Sequence, residues 1–170
     1  MNQIYRIKKA FTYPFITAVI LLGVLLVVSL FSGQSWERAI LAVLFVLAAL
    51  VAVEASERTF SVSDDGLRIR KFFRIKNFSW AEITHLGVVV MRHKAYFLLT
   101  TTKGFYIFSN LLQDHALLIR RLTEKLENER VEAEIKTYLE SPVERTSLIV
   151  LTWIALIIIV AIILTKLFTA

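Results

Sequence analysis

Apolar positions along the chain fall into two kinds of pattern. In three stretches, residues 11–32, 39–53 and 148–164, they run on with almost no polar interruption. Between the second and third stretches they first alternate with polar residues and then recur every three or four positions. Unbroken runs of such length read as membrane-crossing helices, alternation as half-buried strands, and the three-to-four period as an amphipathic helix.

The first run carries no charge from Ala10 to Trp36. As a helix, residues 11–32 would rise about 33 Å, enough for the hydrocarbon core of a bilayer. A cleaved signal peptide is the alternative, since Arg6, Lys8 and Lys9 precede the run; the run is longer than a signal core and no small-residue cleavage site follows it. The second run, between Arg38 and Glu54, would rise only about 23 Å, so it needs Trp36 in the interface and Arg38 reaching outward. The third is uncharged from Thr146 to Thr165, or about 30 Å. Before it, Ser141-Pro142-Val143-Glu144 reads as a capping box with proline at the first helical position, which predicts a helix from about Pro142.

Within the alternating region, strands are predicted over 58–63, 67–73, 76–80, 84–91, 95–102 and 105–109, with turns at Asp64-Asp65-Gly66, Arg92-His93-Lys94 and Lys103-Gly104. In the second strand Leu67, Ile69 and Phe73 are expected on one face. Leu112, Ala116, Ile119, Leu122 and Leu126 then mark an amphipathic helix over 111–129, capped by Asn110 with Gln113 three residues on. A bend near Asn128 is expected, because Val131 breaks the register.

A meander of short strands closed by one amphipathic helix is the order of a pleckstrin-homology-like (PH-like) domain. Phe60-Ser-Val-Ser-Asp-Asp-Gly-Leu-Arg-Ile-Arg70 resembles the opening hairpin of bacterial PH-like domains in small membrane proteins. Phe78-Ser-Trp-Ala-Glu-Ile83 is similar to their tryptophan-containing strand end, and Tyr96-Phe-Leu-Leu-Thr-Thr-Thr-Lys-Gly-Phe-Tyr-Ile-Phe-Ser109 to their last hairpin. The resemblance covers about residues 57–129. It implies a fold and a place at the bacterial inner membrane, as a binding or assembly module, rather than an activity. Phosphoinositide-binding members carry a basic loop between their first two strands. Here that position is read as the acidic turn Asp64-Asp65-Gly66, which implies lipid contact of low headgroup specificity.

The expected fold class is thus an α+β membrane protein, with three transmembrane helices and an antiparallel PH-like barrel or sandwich closed by one C-terminal helix. The segments are a cytoplasmic N-terminal tail (1–10), transmembrane helices (11–32 and 39–55) joined by a short external loop (33–38), a cytoplasmic PH-like domain (56–140), a third transmembrane helix (141–166) and an external tail (167–170). Hydrophobic residues make up 56% of the chain and mean hydropathy is +0.64, above a soluble protein's range. Orientation follows from the basic residues. Eighteen of the twenty lie in residues 1–10 and 56–145, so the N-terminal tail and the middle domain are placed inside.

Chemistry is sparse. His85, His93 and His115 show no metal-ligating spacing and cysteine is absent, so neither a metal nor a cofactor is expected. Ser109 and Ser141 read as a strand end and a helix cap, and no nucleophile elbow or phosphate-binding glycine loop occurs. Charged residues are missing from the three apolar stretches, 11–32, 39–53 and 148–164, which argues against a transporter or channel working alone. The chain is therefore expected not to be an enzyme, and no small-molecule substrate or nucleic-acid partner is evident.

Charge is more informative. Residues 58–103 hold nine basic and three acidic side chains, whereas residues 104–145 hold six basic and eight acidic. Arg68, Arg70, Arg74 and Lys76 recur at even spacing and would share one face of a strand that ran straight through, with Lys71 on the other. They are the candidate lipid-surface residues, set against the simpler reading of a solvated sheet face. The predicted function is a membrane-anchored, non-catalytic interaction or scaffold module with weak, non-specific contact to anionic lipids, and with a protein partner or a second copy of itself. The alternative is an accessory subunit of a larger membrane transport or envelope-assembly complex.

Overall fold

The structure, a computed structural model, describes residues 3–169. In chain order its elements are strand β1 (Gln3–Arg6), helices α1 (Lys9–Ser32) and α2 (Ser35–Glu57), strands β2 (Thr59–Val62), β3 (Gly66–Lys71), β4 (Arg74–Ser79), β5 (Ile83–Met91), β6 (Lys94–Thr101) and β7 (Gly104–Ser109), and helices α3 (His115–Lys125), α4 (Ala133–Glu140) and α5 (Ser147–Thr169). They divide into two compact units. One joins the chain up to Lys8 with Glu57–Thr146, and the other joins Lys9–Ser56 with the chain from Ser147.

The second unit is helical. Each of α1, α2 and α5 is long and apolar enough to cross a membrane. α2 is not short: it takes in the charged residues at both ends of its apolar run and rises about 35 Å over Ser35–Glu57. Arg38 does not reach outward as expected. Its Nη2 donates to the Gly33 carbonyl at 2.7 Å and its Nε to the Ser29 carbonyl at 3.1 Å, which also accepts from the Gly33 amide at 2.7 Å, so the guanidinium closes off the C-terminal end of α1. Beside it Glu37 is ion-paired with Lys166 near the end of α5. The α1–α2 connection and the C-terminal end of α5 therefore lie at the same end of this unit.

The other unit is α+β. β1–β2–β3–β4 form one antiparallel sheet and β5–β6–β7 a second. The sheets are separate, and no closed barrel is formed among the described residues. They share one core: Phe60, Leu67, Ile69 and Phe78 come from the first, and Ile83, Leu86, Phe97, Leu99 and Phe108 from the second. Phe97 stacks on Phe108, with ring centroids 5.2 Å apart, and meets Tyr138 edge-on at the same separation. Leu118, Ile119 and Leu122 of α3 and Ile135 of α4 complete this core.

Four expectations change here. The N-terminal segment is not a tail, because β1 pairs with β2, with Tyr5 opposite Phe60. The turn at Asp64–Gly66 therefore joins the second and third strands, and the first two strands are separated by both α1 and α2. Comparing that turn with a first-hairpin lipid loop loses its basis. Gly66 itself is required, since a Cβ there would collide with the Phe78 carbonyl. The single closing helix is two helices, α3 and α4, with the chain breaking at Leu126–Glu132 as the register change at Val131 demands.

The remaining changes concern caps. Asn110 is fully buried and caps nothing. Its Nδ2 donates to the carbonyls of His93, at 3.2 Å, and Val143, at 2.7 Å. The helix after it starts only past Asp114. The third apolar helix starts at Ser147, not at Pro142. The groups of the expected capping box are engaged elsewhere: the Val143 carbonyl by Asn110 and by the Tyr138 hydroxyl at 3.4 Å, and Glu144 by an ion pair with Lys8. Arg145 lies over the Tyr96 ring at 5.7 Å and donates to Ser109 Oγ at 3.3 Å. Tertiary contacts thus hold residues 141–146 out of the helix that their sequence favours.

Candidate functional site

The four candidate basic residues lie on one hairpin but not on one face. β3 does not continue through residue 73. It ends at Lys71, turns through Phe72–Phe73 and returns as β4, with Lys71 opposite Arg74 and Ile69 opposite Lys76. A two-residue turn resets the parity of the strand. Arg68 and Arg70 point outward together with Ile75 and Asn77, while Arg74 and Lys76 share the side of Lys71 and of the core residue Ile69. The even spacing across 68–76 was therefore no guide to a shared face.

Each of the four has its own setting. Arg68 Nε donates to Asn77 Oδ1 at 2.9 Å across the strand pair. Arg70 is ion-paired with Glu57. Lys76 donates to the Tyr106 hydroxyl at 2.8 Å and lies over that ring at 5.3 Å. Arg74 is exposed at the foot of the turn beside Lys71, whose Nζ lies 5.7 Å from the centre of the Phe72 ring.

The sequence reading missed what these cations surround. Phe72 and Phe73 form the tip of the hairpin and are 58% and 69% exposed, and Ile75 beside them is 58% exposed. The alternation predicts Phe73 on one strand face with Leu67 and Ile69; β3 ends at Lys71 and the turn carries Phe73 away from them. Both turn residues have positive φ, 47° and 58°. Two-residue turns of that class favour asparagine and glycine, because a bulky side chain crowds its own backbone there. The overlooked signal is the basic pair Lys71 and Arg74 flanking Phe72-Phe73, which a two-residue turn sets opposite each other.

A second exposed apolar surface lies on the outer face of the β5–β6–β7 sheet, where Val89, Met91, Leu98, Phe105 and Ile107 stand in register. Phe105 is the most open of them, at 80%.

The histidines are dispersed. His85 Nε2 lies 2.8 Å from Glu132 Oε1, and the other carboxylate oxygen accepts from the Val88 amide at 3.2 Å. The histidine hydrogen bond, more than the amide, holds the Glu132 carboxyl below its usual range. This pair fastens the α3–α4 connection to β5, where Gly87 leaves room for the carboxylate. His115 is buried against Phe97 and Tyr138, and desolvation lowers its pKa. Tyr138 is pushed up to about 12 by the same burial. Among the described residues no three metal-ligating side chains converge. In the Asp64–Gly66 turn, the Asp64 carboxylate accepts from Lys125 Nζ at 3.1 Å, which holds its pKa down, and its carbonyl accepts from Trp80 Nε1 at 2.9 Å.

No family model, curated protein or solved structure matches the chain.

Proposed function

We propose that the chain is a membrane-anchored interaction module of PH-like build, with its α+β unit on the cytoplasmic face of the cell membrane and without catalysis of its own. The observation that carries this reading is the way the two units are joined. The chain passes between the helical and the α+β unit three times, with only residues 7–8, 58 and 141–146 between the flanking elements at the three crossings. Such a unit is committed to one membrane face.

Sidedness has further support. Pairing of β1 with β2 puts the segments before α1 and after α2 side by side, as an in–out–in passage of those helices requires. The ion pair between Glu37 and Lys166 suits a third crossing that ends beside the α1–α2 connection. The basic excess of residues 3–9 and 58–103 favours the cytoplasmic side. Four strands, then three, then a closing helical segment supports the PH-like reading. Basic side chains near an anionic leaflet contribute about 1 kcal/mol each, which orients a tethered unit without capturing a particular headgroup.

The alternative, an accessory subunit of a larger membrane complex, is favoured by the apolar outer face of β5–β7, which offers a surface for another protein. Crosslinking in native membranes followed by mass determination in mild detergent separates the two. A lipid-facing module runs as the chain alone or as copies of itself, and an accessory subunit runs as a discrete hetero-complex. Turnover of a substrate by the purified chain would overturn both readings.

A further inference from the structure

We infer that the β3–β4 hairpin tip is a membrane-inserting wedge: Phe72 and Phe73 enter the interfacial layer of an anionic leaflet, and Arg70, Lys71, Arg74 and Lys76 meet its headgroups. The inference rests on the membrane-anchored reading and gives that reading a specific point of contact.

Three observations converge on this one tip. The first is exposure. Two phenylalanines side by side stand out at one turn, whereas Phe60, Phe78, Phe97 and Phe108 of the same unit are buried, and Ile75 extends the apolar end. Aromatic rings are at home at the depth of lipid headgroups, where apolar body and polar surroundings are both accommodated. The second is the collar. Lys71 and Arg74 face each other at the foot of the turn, with Arg70 one position and Lys76 two positions behind them, and no acidic residue lies between 66 and 81. A positive ring behind an apolar point matches a negative headgroup layer above acyl chains. It would repel the positively charged rim of a second copy of the same hairpin. The third is backbone cost. Positive φ at two consecutive phenylalanines is unfavourable, and residues held so are found where a function uses them.

The basic residues split between the two faces of the hairpin, which is awkward for a sheet laid flat on a membrane. It suits a hairpin that enters tip first, because cations on both faces then reach headgroups around it. Lipid selectivity is set by charge, since Arg70 and Arg74 lie on opposite faces of the hairpin and do not form a fork for a single phosphate.

The test uses the full chain in lipid nanodiscs. Natural cysteine is absent, so single cysteines can carry an environment-sensitive fluorophore: Phe73→Cys at the tip and Asp65→Cys at the neighbouring turn as control. Spin-labelled lipids of shallow depth are expected to quench the tip probe several-fold more than the control in discs rich in phosphatidylglycerol. The excess should shrink in phosphatidylcholine and in high salt. A probe at Ile75→Cys should lose its quenching when Phe72→Asn and Phe73→Gly are introduced together, a pair that suits the turn and so spares the fold. Equal quenching at tip and control would overturn the inference, as would a tip shielded from aqueous quencher yet untouched by labelled lipid, which would assign it to a protein partner. Failure of the anchoring reading is distinguishable, because the chain would then be extracted from membranes by alkaline carbonate; a chain that resists extraction with an unquenched tip loses only the wedge.

Discussion

Replacing the two turn phenylalanines by the residues that the turn prefers should stabilise the α+β unit while disarming it. In the double variant Phe72→Asn, Phe73→Gly, the strain of two bulky residues at positive φ, about 1–2 kcal/mol each, is relieved. Against this, glycine costs about 0.5–1 kcal/mol in unfolded-chain entropy. Loss of the Lys71–Phe72 ring contact costs about 0.5–1 kcal/mol at an exposed site. Neither ring is packed in the core, so little buried area is given up. The balance is a stabilisation of about 1–2 kcal/mol, which for a unit of this size raises its midpoint by several degrees, about 4–8 °C per kcal/mol. Trp80 reports on this unit alone once Trp36→Phe and Trp153→Phe silence the tryptophans of α2 and α5. Its fluorescence during thermal unfolding in detergent gives the comparison. A midpoint that is unchanged or lowered would show that the native turn carries no strain, and would remove the argument that Phe72 and Phe73 are kept for use rather than for stability.

Two other perturbations follow from buried polar groups. Asn110→Ala strips both carbonyl contacts made by Nδ2 and should cost about 1–3 kcal/mol; it should also open residues 141–146 to protease at Arg145, and a variant with wild-type denaturant midpoint and cleavage pattern would contradict the role given to this residue. Stability should also fall at both ends of the pH scale. His115 is held neutral below the ordinary value of 6.5, so the unfolded chain takes up a proton first and stability drops as pH falls beneath that value. Tyr138, raised to about 12, binds its proton more tightly when folded, so stability declines as pH climbs from 10 towards 12. Denaturant midpoints at pH 5, 7 and 11 measure both limbs; the acid limb should flatten in His115→Leu and the alkaline limb in Tyr138→Phe.

What could be read from the sequence was whatever the local pattern decides. The long apolar helices follow from unbroken hydrophobicity, and β2 and β5–β7 from alternation bounded by turn residues. The bend between α3 and α4 follows from a break in period at Val131. Each failure has a non-local cause. β1 has only four residues, and its partner β2 lies beyond two long helices, so nothing near Gln3–Arg6 marks it as a strand. The capping box at Ser141–Glu144 is sound locally but loses to Asn110, Tyr138 and Lys8, which arrive from elsewhere in the fold. The basic residues of 68–76 were read as one face because phenylalanine is a poor turn former, and the turn was therefore missed. That same unsuitability is what marks the hairpin tip as the candidate site once its conformation is visible.

The central claim is that three helices cross the membrane and hold the α+β unit on its cytoplasmic side. Single-cysteine labelling tests it most directly, because the chain supplies no competing thiol. Cysteines are placed at Gln34 in the α1–α2 connection, at His93 in the β5–β6 turn, and after the last residue. In intact cells a membrane-impermeant thiol reagent should modify the first and third and leave the cysteine at position 93 unmodified until the cells are broken. Modification of position 93 in intact cells, or Gln34 and the C-terminus reporting opposite sides, would contradict the account.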